Sequence, residues 1–215
     1  MESESQNSEK LICRLLQKND FPQIIGLMKK LRIPITGLYS RAIYTAIYRQ
    51  ALIDDRIVFV VAEKQRKLIG LVIAIIDRNS FLISFLPRHP LFALQIFFRK
   101  LLRLMGIGVN KRVPDHEQLE AISKYLTTSI LDRSWWKDSS PQIAKALFIS
   151  IDPDYQLSGI GFELTQYRDK VLVERGVKRY DGIVEIHRIP QLHLLHKTGF
   201  RIEKRGNKFF VSKDL

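Results

Sequence analysis

Apolar positions change their spacing repeatedly along the chain, and each spacing predicts one kind of element. Runs rich in β-branched residues predict strands over Leu11–Leu16, Arg56–Glu63, Lys67–Asp77, Ala144–Ile151 and Arg179–Glu185, with a closing hairpin around Gly206-Asn207. Apolar residues three and four apart predict helices from Phe21 to before Pro34, and over Ser40–Ala51, Phe162–Arg175 and Pro190–Lys197. The order β-α-α-β-β, a long insert, then β-α-β-α-β-β predicts an α/β fold with a mixed sheet and helices on both faces.

The long insert, residues 78–142, separates the third predicted strand from the fourth. Two helices are predicted inside it, Leu91–Met105 and Asp115–Leu131. The first 37 or so residues, up to Pro114, carry seven basic side chains and no acidic one. Three interpretations of the first helix stay open: it covers the substrate cleft, it lies in a membrane interface with its arginines at anionic headgroups, or it forms a homodimer contact. Peripheral membrane contact would then involve residues 81–107.

Length and charge narrow the class of protein. The 215 residues fit a single domain, 11–215, that contains the helical insert and follows a mobile polar tail over 1–10. The formal net charge of +13 favours partners that carry negative charge. Nucleic acid is not expected, because the basic residues are dispersed rather than interleaved with aromatic ones. Cys13 is the one cysteine, which excludes an intrachain disulfide, and no apolar run is long enough to span a membrane. A cytoplasmic protein, soluble or membrane-peripheral, is therefore expected.

A glycine-containing loop follows the predicted strand Ala144–Ile151. The strand ends at Asp152-Pro153, and the loop Gln156-Leu157-Ser158-Gly159-Ile160-Gly161 leads to a helix predicted to begin at Phe162. Glycines between a strand and a helix N-terminus let backbone N–H groups approach an anion without a Cβ in the way. The loop predicts a phosphate or pyrophosphate site. It is not a Walker loop, since Gly161 is followed by Phe162-Glu163, and it lacks the third glycine of a dinucleotide fingerprint.

In this element order, and followed by Lys197-Thr198-Gly199-Phe200, the loop resembles that of the GNAT superfamily of N-acetyltransferases, over residues 11–77 and 142–213. The resemblance implies a central mixed, largely antiparallel sheet of six to seven strands flanked by helices. It also implies acetyl-CoA as cofactor, bound where the fourth and fifth strands separate. By this resemblance the pyrophosphate is held by Gln156, Leu157, Ser158, Gly159, Ile160, Gly161 and Phe162. The pantetheine arm pairs with the strand edge at Phe148, Ile149, Ser150 and Ile151.

The implied reaction is direct transfer of an acetyl group to a primary amine of a small molecule, an amino sugar being one candidate. Many members of the family place a tyrosine that acts as the acid where this chain has Leu195, and an asparagine where it has Arg188. His196 and its neighbour His193 are the candidate acids, and surface histidines are the alternative interpretation. Glu185 and His187, at the end of the fifth strand, are the candidate bases, with solvated strand-end residues as the alternative. No metal site is predicted.

The acceptor site implied by the resemblance includes the loop between the first two helices. Its residues are mostly apolar, with Thr36 and Tyr39 as hydrogen-bonding groups, which suits a small or amphipathic amine. Because Leu195 replaces the usual acid, a catalytically degenerate module that binds or senses acyl-CoA is the first alternative function. A membrane-peripheral acyltransferase is the second.

Overall fold

The computed structural model describes residues 10–30, 41–90, 138–185, 189–205 and 208–215. Their seven strands are β1 (Ile12–Leu15), β2 (Ile57–Lys64), β3 (Lys67–Ile76), β4 (Ile143–Ile151), β5 (Arg179–Glu185), β6 (Arg201–Arg205) and β7 (Lys208–Asp214). They form one sheet in the order β1-β2-β3-β4-β5-β7-β6. The pairing of β4 with β5 is parallel, and the other described pairings are antiparallel. The predicted mixed, largely antiparallel sheet is confirmed.

Five described helices cover both faces of this sheet. They are α1 (Phe21–Lys30), α2 (Arg41–Ala51), α3 (Arg78–Phe85), α4 (Ile160–Glu174) and α5 (Ile189–Lys197). Buried side chains of α1, α2 and α3 form one apolar cluster with one face of the sheet, and those of α4 and α5 form a second cluster on the other face. The α/β architecture with helices on both faces is confirmed. No helix in the described ranges is long and apolar enough to cross a membrane.

Helix α3 lies at the start of the insert and was not predicted. Asp77 adopts a left-handed conformation (φ 45°) and caps the helix by accepting from the Ser80 backbone N–H and hydroxyl. Phe81 and Phe85 then lie one turn apart and are both buried. The helices predicted over Leu91–Met105 and Asp115–Leu131 lie outside the described residues, and the single-domain boundaries stay a prediction.

Asp77 also joins the two ends of the insert. Its carboxylate accepts a hydrogen bond of 2.7 Å from the hydroxyl of Ser139, and its backbone N–H donates to the carbonyl of Ile143 at 3.1 Å. The chain therefore leaves β3 and returns to β4 at one place in the sheet.

Strand β4 carries a bulge and separates from β5 beyond it. Ile73 lies opposite Phe148 whereas Ala74 lies opposite Ala146, so that Leu147 is an extra residue on β4. As a result Leu147 and Phe148 both pack on the α1–α3 side of the sheet, and Ala146 and Ile149 on the α4 side. The ladder between β4 and β5 runs from Ile143 to Lys145 and ends there. The part of β4 that follows Lys145 thus forms one wall of a cleft.

Candidate active site

The loop after β4 has the backbone shape predicted for an anion site. Asp152 begins a short 3-10 turn over Pro153–Tyr155, and Leu157 and Gly159 adopt left-handed conformations with φ of 65° and 85°. The sequence predicted that helix α4 begins at Phe162, but the helix begins at Ile160. The correction follows from Gly159: this residue takes the left-handed cap position, so Ile160 and Gly161 belong to the first helical turn.

The loop presents several backbone donors without acceptors. In the described part of the chain, no hydrogen-bond acceptor meets the N–H groups of residues 157–161. The Phe162 N–H, by contrast, donates to the Gly159 carbonyl at 2.9 Å. The Leu157 side chain is 97% exposed, and Gln156, Ser158 and Gly159 are exposed with it. Such a run of amides at a helix N-terminus attracts an anion.

The Ser158 hydroxyl is used inside the loop. It donates to the Tyr155 carbonyl at 2.5 Å. An Ser158 hydroxyl used in this way closes the turn, as short polar side chains commonly do. Its backbone N–H is the group left to face an anion.

Two carboxylates beside the loop are neutralised by a lysine at the end of α1. Lys30 Nζ lies 2.5 Å from Asp152 Oδ1 and 2.5 Å from Asp154 Oδ2. Asp152 is buried, which opposes its ionisation, but the hydrogen bonds from Lys30 and from the Asp154 N–H outweigh burial and lower its pKa. Asp152 caps the 3-10 turn, and Asp154 lies within it. The ion pairs tie α1 to the loop and offset the repulsion that bare carboxylates would exert on an anion.

A cavity of about 170 Å³ lies in the cleft between β4 and β5. This is far more than the roughly 10–15 Å³ that one water needs on the same measure. Its walls come from both strands, from α5 and from the residues beneath them: Ala146, Leu147, Phe148, Ile149, Gly182, Ile183, Val184, Gln191, Leu194, Leu195, Arg168, Tyr180, Phe200 and Val211. The predicted pantetheine residues Phe148 and Ile149 are among them. Ser150 and Ile151 continue β4 from the cavity to the loop.

Gly182 sets the narrow end of this cleft. A Cβ there would lie 3.1 Å from the Ala146 Cβ and 3.0 Å from the Val211 Cγ2. Because an alanine Cβ cannot move without its backbone, a side chain at residue 182 would push β5 away from β4. The glycine therefore allows the two strands to converge.

The predicted catalytic residues are not brought together by the described part of the structure. Leu195 is 7% exposed, packs in the core and lines the cavity, whereas His193 and His196 are exposed and are not part of the cavity wall. Glu185 ends β5, as predicted, but its side chain is not described. His187, Thr36, Tyr39 and Arg188 lie outside the described residues. The roles of Glu185, His187 and His196 stay predictions.

Two polar residues of the cavity wall were missed by sequence reasoning. Arg168 is 2% exposed, and its guanidinium lies 4.0 Å from the ring centroid of Tyr180. Arg168 donates from Nε and Nη2 to Asp169 Oδ1, at 2.9 and 2.5 Å, and Lys213 Nζ reaches Asp169 Oδ2 at 2.7 Å. The sequence does not single out Arg168, since charged side chains are rarely buried. The adjacent Asp169, which can neutralise it, was the one local signal.

A second buried ion pair lies on the opposite face, where the β4–β5 ladder ends. Lys145 Nζ is 2.6 Å from Asp181 Oδ2, and the Ser212 hydroxyl donates to Asp181 Oδ1 at 2.8 Å. Burial lowers the pKa of Lys145, although Asp181 opposes this. The cluster joins β4, β5 and β7 below the cleft. Nowhere in the described ranges do three His, Cys, Asp or Glu side chains form a metal-binding group.

Comparison with known proteins identifies the fold to which this geometry belongs. No family model and no curated protein matches the sequence. Solved structures do match its fold. An acetyltransferase of the GNAT family from Streptococcus pneumoniae is 16% identical, with a TM-score of 0.56 over 96% of this chain and 99% of that one. This is the GNAT acetyltransferase fold.

Two further solved structures, both of N-acetyltransferases, match the same fold. The PaiA N-acetyltransferase from Thermoplasma acidophilum was solved in complex with coenzyme A; it is 15% identical, with a TM-score of 0.52 over 96% of this chain and 99% of that one. The ribosomal-protein-S18-alanine N-acetyltransferase from Escherichia coli is 13% identical, with a TM-score of 0.54 over 96% of this chain and 93% of that one. At these identities the likeness shows the fold alone.

Proposed function

We propose that this protein is an N-acetyltransferase that moves an acetyl group from acetyl-CoA to a primary amine of a small molecule, an amino sugar being one candidate. The observation that carries the proposal is the continuity of two features. The amides of residues 157–161, which meet no acceptor among the described residues, follow the end of β4, and the same strand lines the cavity between β4 and β5 from Ala146 to Ile149. A phosphate-bearing donor with a long arm fits that arrangement.

The loop would hold the pyrophosphate of the donor. Residues Gln156 to Phe162 supply backbone N–H groups, and the N-terminus of α4 adds about half a positive charge. Lys30 keeps Asp152 and Asp154 from repelling the phosphates. The net charge of +13 adds a general attraction for an anionic donor.

The arm of the donor would run along β4. Its amide groups can pair with the edge of Phe148, Ile149, Ser150 and Ile151, because the ladder to β5 has already ended at Lys145. The thioester would then lie in the cavity near the bulge at Leu147. Acetyl-CoA supplies the activated acyl group, and the protein positions it and excludes water.

The acceptor would enter by direct attack on the thioester. The predicted base residues Glu185 and His187 follow or end β5, and Thr36 and Tyr39 remain the predicted acceptor contacts. The largely apolar loop that contains the latter favours a small or amphipathic amine over a polyanion. His196 stays a candidate acid, although its exposed position does not support that role.

Calorimetry with CoA tests the donor site. Gly159→Glu should weaken CoA binding about 100-fold or more, since it adds a carboxylate, strains a backbone at φ 85° and disrupts hydrogen bonds to charged oxygens, each contributing about 1.5–3 kcal/mol. Gly176→Glu is the matched control. Gly176 is also exposed and left-handed (φ 75°), but it lies after the other end of α4, so CoA affinity should not change. Absence of CoA binding by the wild type would refute the proposal.

A catalytically degenerate module that binds or senses acyl-CoA is the second candidate. It is favoured by Leu195, a buried apolar side chain at the position where the resemblance implies an acid. Thiol release from acetyl-CoA, measured against a panel of primary amines, separates the two functions. Donor binding without turnover of any amine would favour the module.

Contact between residues 81–107 and a membrane surface can be tested separately from acetyl transfer. Within the residues 81–107 predicted to contact lipid, Phe81 and Phe85 are buried in the core, whereas Ile83 is 75% exposed. Co-sedimentation with vesicles that contain anionic phospholipid should therefore be compared for the wild type, for Arg99→Glu with Arg103→Glu, and for Phe81→Leu as a control. Equal sedimentation of all three would exclude the predicted basic helix as a membrane contact.

A further inference from the structure

The cavity wall contributed by α5 contains no acid. Gln191, Leu194 and Leu195 are its α5 residues, and the exposed histidines of that helix are not among them. Among all the described residues that line the cavity, two are ionisable, Arg168 and Tyr180. An arginine does not give up its proton in a protein, whereas a tyrosine can. Tyr180 is therefore the described group in the cavity that is able to donate a proton.

Tyr180 lies directly below the point at which the strands separate. It pairs with Ala144 in the ladder, and the next pair, Lys145 with Asp181, is the last. Alternate residues of a strand share a face, so Tyr180 and Gly182 lie on the same side of β5. Gly182 packs closely against Ala146 and Val211, and Tyr180 and Gly182 both belong to the cavity wall.

The charges around Tyr180 suit a proton donor. Burial raises its pKa, the guanidinium of Arg168 opposes that rise, and the carboxylates of Asp169 and Asp181 add to it. Lys213, on β7, is paired with Asp169 and balances one of these carboxylates. The phenol is thus protonated near neutral pH, and the stacked Arg168 cation can stabilise a short-lived phenolate.

We propose that the Tyr180 hydroxyl donates the proton to the departing CoA sulfur, the role that Leu195 cannot perform. The inference rests on the proposed acetyl transfer. The amine nitrogen forms a bond to the thioester carbonyl carbon, the C–S bond breaks, and its electron pair goes to sulfur. The sulfur takes the Tyr180 proton. The proton lost by the nitrogen returns to the phenolate through solvent, so the products are an amide and free CoA thiol. Arg168 acts as a positioning residue for this phenol.

Tyr180→Phe tests the proposal because it removes one oxygen and keeps the ring that packs against Phe200 at a centroid distance of 5.8 Å. We expect kcat for an amine accepted by the wild type to fall by about 10- to 100-fold, at or below the usual range for acid–base catalysis because thiolate is a tolerable leaving group. CoA affinity should stay within twofold. Tyr167→Phe is the matched control: it is a half-buried tyrosine of α4 outside the cavity wall, and its kcat should not change.

A second measurement needs no acceptor, and its first result comes from the wild type alone. A hydrogen bond from the Tyr180 hydroxyl stabilises the thiolate, so CoA bound to the wild type should ionise at lower pH than free CoA, as followed by thiolate absorbance in the ultraviolet. Tyr180→Phe should remove that shift, which a merely structural role of the phenol would not do. An unshifted thiol in the wild type, or a kcat within twofold in Tyr180→Phe, overturns the inference. Failure of the proposed function itself appears differently, as a wild type that does not bind CoA.

Discussion

The two ends of β4 differ in how they are built. At its start, β4 is held to β5 by a backbone ladder and to β5 and β7 by the buried cluster of Lys145, Asp181 and Ser212. At its end, β4 has left β5 and leads to the amides of residues 157–161, which meet no acceptor among the described residues. Backbone and side-chain contacts together hold the closed end, and backbone groups form the open end. The proposed donor arm requires both ends, because the strands can separate at one end only if the other end stays fixed.

The largest expected effect comes from loosening the closed end. Asp181→Asn should lower the free energy of unfolding by about 3–5 kcal/mol, since it leaves the ammonium of Lys145 inside the sheet without this carboxylate. Asp214→Asn is the control on β7: its ion pair with Arg201 is exposed, so the change should be about 0–1 kcal/mol. Urea titration measures both. Similar losses in the two variants would mean that the buried cluster does not hold the strands together.

A smaller effect is expected where the closed end becomes the open end. Gly182→Ala should reduce stability by about 1–3 kcal/mol, because its Cβ would crowd Ala146 and Val211. Gly26→Ala is the opposite case, since nothing lies within 4 Å of a Cβ there and the residue lies inside α1. That variant should gain about 0.5–1 kcal/mol. Thermal unfolding distinguishes the two, and a Gly182→Ala protein as stable as the wild type would show that the strands can part without cost.

The smallest effect is expected at the open end. Lys30→Met should weaken CoA binding by roughly three- to tenfold, because Asp152 and Asp154 would then repel the phosphates, and added salt should reduce the difference. Lys29→Met removes the same charge from the adjacent exposed position of α1 and should have little effect. Calorimetry at two salt concentrations gives both comparisons. Equal losses from the two variants would point to net charge rather than to the ion pairs.

The open end of β4 was largely predictable from sequence, and the closed end was not. Gly159 indicates a left-handed turn, and the β-branched run that precedes the loop indicates a strand. Local sequence is therefore enough to predict the loop. The start of α4 was misplaced by two residues, because glycine at residue 161 made its first turn look like loop. Helix α3 was not predicted because Arg78-Asn79-Ser80 favours a helix only weakly. The features that could have predicted it are the capping residue Asp77 and the phenylalanines Phe81 and Phe85, four residues apart.

The cavity wall could not be predicted for a different reason. Arg168 and Tyr180 are separated in sequence and belong to a helix and a strand whose own patterns show only amphipathicity. Their contact exists because α4 packs across β1 to β4 and brings Arg168 over Tyr180 of the neighbouring β5, which is a property of the whole fold. Long-range packing of this kind leaves no local signal, apart from the Asp169 that neutralises Arg168.

The joining of both insert ends at Asp77 has a consequence for how freely this segment can vary. The hydrogen bond between Asp77 and Ser139 joins residues that are 62 positions apart. The insert is therefore attached to the sheet at two points that lie close together. In a flexible loop, doubling the number of residues between fixed ends costs only about 0.6 kcal/mol of closure entropy. Descendants of this chain, or engineered versions of it, can therefore exchange the segment between Phe85 and Asp138 for one of another length while the strands on either side keep their register. The junction of Asp77 with Ser139 is therefore a place where this fold tolerates insertions of different length.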